Sequence, residues 1–257
     1  MEPLYTPHNT NPAYQLNWGL TIFWRRSAVP DDLWLAELQA AAEPDGVRVI
    51  KHRTGTGDAS LFFVSTRPHV SPSGLVRSVK GRLQHAIRGR APKALRRNYG
   101  LRSIGSVKRS VVEDYVARQP ARHPMADSEV QRRLAPFQRT YPDVDLAKPS
   151  YSAHGMYWYN LHLVLVNQER WKETRAAVLS RLSEMIDVAA AKHDERLSRV
   201  GLLPDHIHMT LGCPIERSPQ DVALGYLNNC AYACGMKPVF RYGYYVGTIG
   251  EYDRGAV

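Results

Sequence analysis

The residue types best suited to chemistry lie in one short stretch, Leu203–Leu211, which reads LPDHIHMTL. Successive side chains of a β-strand alternate between its faces, so His206 and His208 project from the same face. Two imidazoles on one face bind a divalent metal ion when a third ligand joins them. Pro204-Asp205 is a turn signal, and strand-like apolar residues follow the pair. The stretch predicts a metal-binding strand. The alternative is chance, since ten histidines in 257 residues give roughly 0.4 accidental pairs of this spacing.

The whole chain has a formal net charge of +10. The positive charge is concentrated in its first half. No Asp or Glu occurs between Ala59 and Val112, while twelve basic residues do. A merely solvated surface mixes both signs, so this segment predicts a polyphosphate partner, namely nucleic acid. The predicted DNA-binding residues are Arg77, Lys80, Arg82, Arg88, Arg90, Lys93, Arg96, Arg97 and Lys108.

Composition argues against a membrane or disulfide-based protein. No apolar run reaches the roughly 18 residues that a membrane span needs, and the polar N-terminus lacks a signal-peptide pattern. The three cysteines show no zinc spacing, which favours reduced thiols. We therefore expect a cytoplasmic, nucleoid-associated protein with no membrane partner.

The order of predicted elements repeats along the chain, each half reading β-α-β-β-α-β. The first half is predicted as Tyr14–Trp24, Asp31–Ala42, Val47–Lys51, Leu61–Thr66, Pro72–Arg88 and Tyr99–Gly105, followed by a helix at Lys108–Gln119. The second half is predicted as Tyr157–Val166, Trp171–His193, Arg196–Leu202, Ile207–Cys213, Pro219–Cys234 and Tyr244–Gly250. This order is that of the split βαβ, ferredoxin-like fold. We predict an α+β protein with two such domains and antiparallel sheets, arranged as a pseudo-twofold dimer within one chain. The domains are 1–119 and 153–257, joined by a Pro- and Arg-rich connector at 120–152 that holds one short helix, Asp127–Leu134.

The two halves differ in what they retain. Ser71-Pro72 and Ser218-Pro219 align the halves, and the alignment places Ala59 and Leu61 opposite the two histidines. The first half therefore lacks the histidine pair. The helix that follows Gly105 has no counterpart after Gly250. Complementary loss of this kind is what one site shared by both halves would leave behind, although random decay of a duplicated domain would look similar.

Three motifs together resemble a known family, the single-tyrosine HUH transposases. They are Leu203–His208, the strand Gly243–Gly250 and the helix Val112–Gln119. The family includes insertion-sequence transposases that act on single-stranded DNA and repeat-associated tyrosine transposases. The resemblance covers both halves, roughly residues 14–119 and 155–257, but not the connector.

The resemblance implies a mechanism and a set of roles. Tyr115 attacks a phosphodiester and becomes linked to a 5′-phosphate. His206, His208 and Gln119 hold Mg²⁺ or Mn²⁺. Family members are homodimers in which the histidines of one subunit work with the tyrosine helix of the other. Here one chain would form a single composite site, acting as a monomeric pseudo-dimer, with further dimerisation possible. The partner would be single-stranded or hairpin DNA.

Two other functions fit parts of the pattern. One is a retired, domesticated transposase that grips DNA hairpins or single strands without cutting, which the basic segment supports. The other is a metal-free phosphoesterase with two His-x-Ser/Thr motifs, at His208–Thr210 and His69–Ser71. The repeat disfavours the second function, because His69 aligns with Glu216 rather than with a histidine. Tyr115 itself is a packing residue under either alternative.

Overall fold

The computed structural model describes residues 2–55, 58–119, 128–170 and 172–252. Within these residues, twelve strands form two six-stranded sheets, and six α-helices complete a mixed α+β fold. The predicted α+β class is confirmed. The strands are β1 Asn11–Gln15, β2 Asn17–Trp24, β3 Val47–Thr54, β4 Ala59–Thr66, β5 Leu95–Ile104, β6 Gln138–Thr140, β7 Ser150–Tyr151, β8 Gly155–Trp158, β9 Asn160–Asn167, β10 Arg196–Leu202, β11 His206–Gly212 and β12 Phe240–Thr248. The helices are α1 Leu35–Ala42, α2 Pro72–Ile87, α3 Arg109–Ala117, α4 Ser128–Leu134, α5 Ala176–Lys192 and α6 Pro219–Ala233.

Four corresponding strands run in the same order in both sheets. The first sheet contains β3-β4-β2-β5, and the second contains β10-β11-β9-β12, with antiparallel neighbours throughout. Their registers also correspond. Thr21 pairs with Leu61 and Gly100 in the first sheet, as Val164 pairs with His208 and Tyr245 in the second.

Local signals account for the starts of two helices. The Ser71 hydroxyl accepts a hydrogen bond from Gly74 N at 3.1 Å, capping α2. Ser218 and Asp221 form a capping box at α6. Each cap satisfies amide groups that have no partner within the helix, and proline follows each serine because its missing N–H costs nothing there. Both predicted Ser-Pro helix starts are confirmed.

The edges of the sheets depart from the sequence prediction. Tyr14–Trp24 was predicted as one strand, but the chain breaks at the buried Leu16 into β1 and β2. β1 leaves the first half and pairs in parallel with β12. A similar break at the buried Tyr159 separates β8 from β9, and β8 pairs in parallel with β5. Each half therefore adds a strand to the sheet of the other.

The predicted connector also contributes to both sheets. β6 pairs with β10 in the second sheet, and β7 pairs with β8 in the first. The short predicted helix is present as α4, while residues 120–127 lie outside the described part of the chain. No helix among the described residues is long and apolar enough to cross a membrane.

Each sheet packs one face against the hydrophobic core. We call the opposite face the open face, although α3 covers part of it in the second sheet. On β2, Trp18, Leu20, Ile22 and Trp24 are buried in the hydrophobic core, whereas the residues between them are partly exposed. β9 has the same alternating burial pattern. Because side chains on a strand alternate between faces, the histidines of the second sheet belong to its open face.

Candidate active site

The histidine strand starts from a tightly held turn. Leu203 N donates to the His206 carbonyl at 2.9 Å, closing the loop that the Pro204-Asp205 signal predicts. The buried Asn167 side chain donates to the Pro204 carbonyl at 2.8 Å and fixes the turn against β9. β11 then begins at His206, so the first two side chains that it places on the open face are His206 and His208.

The two predicted metal-binding histidines lie side by side. Their ring centroids are 4.8 Å apart, with the ring planes at 75°. Asp205 Oδ1 lies 2.6 Å from His206 Nδ1. A carboxylate that accepts the Nδ1 proton of a histidine orients the ring and leaves Nε2 as the metal-binding nitrogen. Asp205 thus has the geometry of a residue that positions His206.

A third histidine, which the sequence analysis did not assign to the site, joins this pair. His162 on β9 is paired in register with Thr210. Its Nε2 lies 2.9 Å from His208 Nδ1, and the rings are stacked with centroids 5.2 Å apart. Burial lowers the pKa of His162 to about 4, so the ring is neutral at neutral pH. When His208 donates its Nδ1 proton to His162, its Nε2 retains the lone pair that a metal needs.

Tyr115 reaches the histidines from the other half of the chain. Helix α3 follows β5 of the first sheet but packs against β10 and β11 of the second. The Tyr115 and His208 ring centroids are 5.6 Å apart, in an edge-to-face arrangement. The structure therefore brings together two predicted site residues that are far apart in sequence.

Buried polar contacts hold α3 in place. The Glu113 carboxylate is bonded to the Ser198 hydroxyl on β10 and to Arg109 one helical turn earlier. Arg109 also pairs with Glu251 at 2.8 Å. Arg109 is thus paired with two carboxylates. Gly201 on β10 lies beneath α3 and β6, where a Cβ would lie 3.0 Å from Gln138 Oε1 and 3.4 Å from the Val116 carbonyl oxygen.

Gln119, the predicted third metal ligand, is fully buried. Neither its amide oxygen nor its amide nitrogen has a hydrogen-bond partner among the described residues. A buried amide without partners is costly, and a ligand at the oxygen would remove that cost. No group of three or more His, Cys, Asp and Glu side chains in the described ranges is arranged to hold a metal. A donor set of His206, His208 and the Gln119 amide oxygen suits a divalent ion by its chemistry and stays a prediction.

A cavity of about 310 Å³ lies between α3 and the second sheet. Tyr115, His162 and Tyr245 line it together with apolar side chains that include Val111 and Ile249. Such a partly enclosed, largely apolar space with a few convergent polar groups is typical of a reaction site.

The nine predicted DNA-binding residues fall into two groups. Lys80 Nζ donates to the carbonyls of Arg96 at 2.9 Å and Arg97 at 2.7 Å, and burial lowers its pKa. Arg82 pairs with Asp45 at 2.6 Å, and Arg96 Nε donates to the Trp24 carbonyl at 2.8 Å. Lys80, Arg82 and Arg96 therefore serve the fold. The remaining six are exposed: Arg77, Arg88, Arg90, Lys93, Arg97 and Lys108.

The two His-x-Ser/Thr motifs of the phosphoesterase alternative are not equivalent. The Ser71 hydroxyl caps α2, whereas Thr210 is fully buried within β11. His208 packs against Tyr115 and the other site histidines. The arrangement gives no support to a second histidine motif acting beside the first.

In the comparison with known proteins, a family model matches the second half of the chain. The family described as "Transposase IS200 like" matches residues 156–255, which include the histidine strand and β12. No curated protein sequence matches the chain.

The similar solved structures are distant. A REP-associated tyrosine transposase bound to a REP hairpin shares 14% identity, with a TM-score of 0.33, over 39% of this chain. The alignment spans 61% of that transposase's own length. A protein of unknown function from Galdieria sulphuraria has 11% identity and a TM-score of 0.22, covering 91% of this chain and 97% of its own. A putative glycine cleavage system transcriptional repressor has 11% identity and a TM-score of 0.25, covering 91% and 98%. Likenesses this low carry no functional argument.

Proposed function

We propose, from the match of residues 156–255 to the family described as "Transposase IS200 like", that this chain cuts and rejoins single-stranded DNA at one composite site. In this proposal Tyr115 is the nucleophile, and His206, His208 and Gln119 hold Mg²⁺ or Mn²⁺. The substrate is single-stranded or hairpin DNA, which fits the basic first half. The outcome is strand transfer through a 5′-phosphotyrosine, as in DNA transposition.

The contact between Tyr115 and His208 carries this proposal. The tyrosine comes from the helix after the first sheet, and the histidine comes from a strand of the second, yet their ring centroids are 5.6 Å apart. A tyrosine, a histidine pair and a buried amide with unmet hydrogen-bonding capacity are the parts that the reaction requires. One chain supplies all of them.

The correspondence of the sheets supports an origin as a fused dimer. The orders of the four corresponding strands agree, their registers agree, and each half adds a strand to the sheet of the other. We infer two ferredoxin-like domains, 1–119 and 153–257, related by a pseudo-twofold axis. In a symmetric pair each tyrosine helix would cross to the other sheet, which is the path that α3 follows.

In the reaction, the Tyr115 Oη forms a bond to phosphorus while the bond from phosphorus to the 3′ oxygen breaks. The Tyr115 hydroxyl gives up its proton, the 3′ oxygen takes up a proton and leaves as a hydroxyl, and the 5′-phosphate stays on the tyrosine. A bound divalent ion would neutralise charge on the phosphodiester. Asp205 and His162 hold the proton at Nδ1 of their histidine partners, and the apolar residues of α3 restrict water. The phosphotyrosine conserves the energy of the cleaved bond, so attack by a 3′-hydroxyl rejoins strands without ATP.

A denaturing gel tests the assignment. Wild-type protein is mixed with 5′- and 3′-labelled single-stranded DNA and Mn²⁺, beside Tyr115→Phe and His206→Ala. We expect a covalent band with wild type and with Tyr245→Phe, a matched control in the same cavity, and none with the two site variants. An adduct in Tyr115→Phe would overturn the role of the tyrosine. Tight binding without any adduct would point instead to a domesticated DNA-binding protein.

A mixing experiment tests whether the site lies within one chain. Tyr115→Phe and His208→Ala proteins are combined and assayed for the adduct. A site built within one chain predicts no restored activity, because neither variant holds both parts. Restored activity would place the tyrosine and the histidine on different chains.

A further inference from the structure

The open face of the first sheet contains a cavity of about 320 Å³. It lies where the second sheet carries its histidines. Gly19 pairs with Phe63 and Arg102 in the first sheet, while His162 pairs with Thr210 and Gly247 in the second. The cavity therefore occupies the position of a second active site but has a different lining.

The floor of this cavity is apolar and partly aromatic. Leu61 stands at the register position of His208, and Phe63 and Ile104 extend the surface beside it. Gly19 lets the Arg102 and Ile104 side chains lie close over β2, because a Cβ there would lie 3.2 Å from Arg102 Cγ and 3.3 Å from Ile104 Cδ1. Replacing metal-binding histidines by these residues leaves a surface on which a flat ring can stack.

Cations surround the apolar floor. Lys51, Arg53 and Arg102 all line the cavity. Among the described residues, no Asp or Glu lines it. The Arg102 guanidinium is held between two rings, 5.3 Å from the centroid of Trp158 and 5.2 Å from that of Tyr252. Contact with the two rings fixes the arginine and leaves the N–H groups at the edge of its guanidinium plane available to an anion.

We propose that this cavity binds one unstacked nucleotide of single-stranded DNA. The base stacks on Phe63 and Leu61, and Arg53 and Arg102 contact the adjoining phosphates. A cavity of about 300 Å³ is at the small end of ligand sites, which suits one base. Aromatic floors with basic rims are the general means of holding single strands, because every base has a π-face and every nucleotide carries a phosphate. A duplex would keep its bases stacked and out of reach.

This inference rests on the proposed function, since it names a second contact for the same strand. One site would perform the chemistry, and the other would hold the DNA without reacting. The first sheet has neither the histidine pair nor a described tyrosine helix facing it, so we assign no cleavage to it.

The test measures fluorescence anisotropy of labelled single-stranded DNA in the Tyr115→Phe background, where no covalent step intervenes. A single abasic position is moved along the oligonucleotide. We expect one position at which the missing base weakens binding about tenfold. Thr21→Trp, which fills the cavity from β2, should weaken binding by a similar factor and abolish the effect of that abasic position. Leu61→Trp provides a second filling variant, and circular dichroism checks the folding of both.

A charge-matched pair tests the rim. Arg53→Ala should lower the slope of log affinity against log salt by about one. Arg48→Ala is the control. Arg48 is on the same strand, but it is not part of the cavity lining and pairs with Glu43 at 2.7 Å. Equal effects of the two variants would overturn the rim contact.

The outcomes separate this inference from the proposed function. An abasic effect that survives in both filling variants overturns the cavity alone, provided wild type still forms its adduct. Free deoxynucleoside monophosphate could compete with labelled DNA as strongly as an unlabelled strand does. That result would overturn strand binding at this cavity in favour of binding of a free nucleotide. A wild type that neither binds nor modifies single-stranded DNA overturns both.

Discussion

The Glu113 carboxylate docks α3 on the second sheet, and its removal tests whether that docking positions Tyr115. Glu113 is buried, and its side chain joins Ser198 on β10 to Arg109. We consider Glu113→Ala, which deletes both contacts. Asp114→Asn is the matched control, because Asp114 is the next carboxylate on the helix but is exposed.

The structure sets the expected size of the effect. Removing one partner of a buried ion pair costs about 3–5 kcal/mol. Arg109 keeps Glu251 after the change, so we expect the lower end, about 3 kcal/mol, which is roughly 150-fold in the docking equilibrium. The rate of adduct formation depends on the docked fraction, so Glu113→Ala should slow it about 10- to 100-fold. Glu113→Gln keeps an acceptor for Ser198 and should be intermediate.

Two assays report on this effect. Adduct formation is timed at saturating single-stranded DNA with Mn²⁺, and hydrogen exchange is followed in the peptide that contains α3. We expect faster exchange and slower chemistry in Glu113→Ala, with Asp114→Asn like wild type in both. Equal rates for the two variants, or slower chemistry without faster exchange in α3, would refute the argument that docking positions the tyrosine.

Three further predictions concern other parts of the molecule. His162→Ala should weaken Mn²⁺ binding about 10- to 100-fold, as loss of a partner to a metal-binding histidine does; calorimetric titration of the metal alone measures it. Burial raises the pKa of Glu195 to about 7 despite Arg217 beside it. The folded state therefore holds this proton more tightly than the unfolded state, and wild type loses about 3 kcal/mol of stability as the pH rises from 4.5 to above 7. Glu195→Gln should lack this loss, so its melting temperature should gain on wild type across that window. Arg90→Ala should weaken single-strand binding and lower its salt slope by about one, whereas Arg82→Ala should change it less because Arg82 already pairs with Asp45; salt titrations compare them.

The order of elements could be predicted because burial patterns are local. Alternation on β2 and β9 and the serine caps of two helices follow from neighbouring residues alone. The break at Leu16 could not be predicted. Apolar and polar residues alternate through Leu16 without interruption. β1 and β2 are both extended, and only their pairing partners differ. A change of partner is decided by tertiary structure, which leaves no periodicity in the sequence.

The same limit explains the missed histidine. His162 joins the site because β9 and β11 pair with Thr210 opposite His162. A shift of one residue would have sent the ring into the core. The sequence shows that His162 is present, but it does not show which residue of β11 pairs with it. Likewise, Lys80 and Arg82 look like phosphate contacts until the carbonyls and carboxylate that engage them are seen.

Under the two proposals, catalysis and non-covalent DNA binding are divided between the open faces of the two sheets. Val164 and Thr21 occupy corresponding places in the two sheets, yet their partners are His208 in one and Leu61 in the other. Exchanging an imidazole for an apolar side chain removes a metal ligand and creates a stacking surface, with no change in the backbone. A chain with one tyrosine nucleophile can hold only one DNA end covalently at a time. The rest of the strand must then be held without covalent bonds while the phosphotyrosine waits for a 3′-hydroxyl. A basic, apolar-floored cavity on the first sheet meets that requirement, so loss of the first histidine pair suits a division of labour and not only decay.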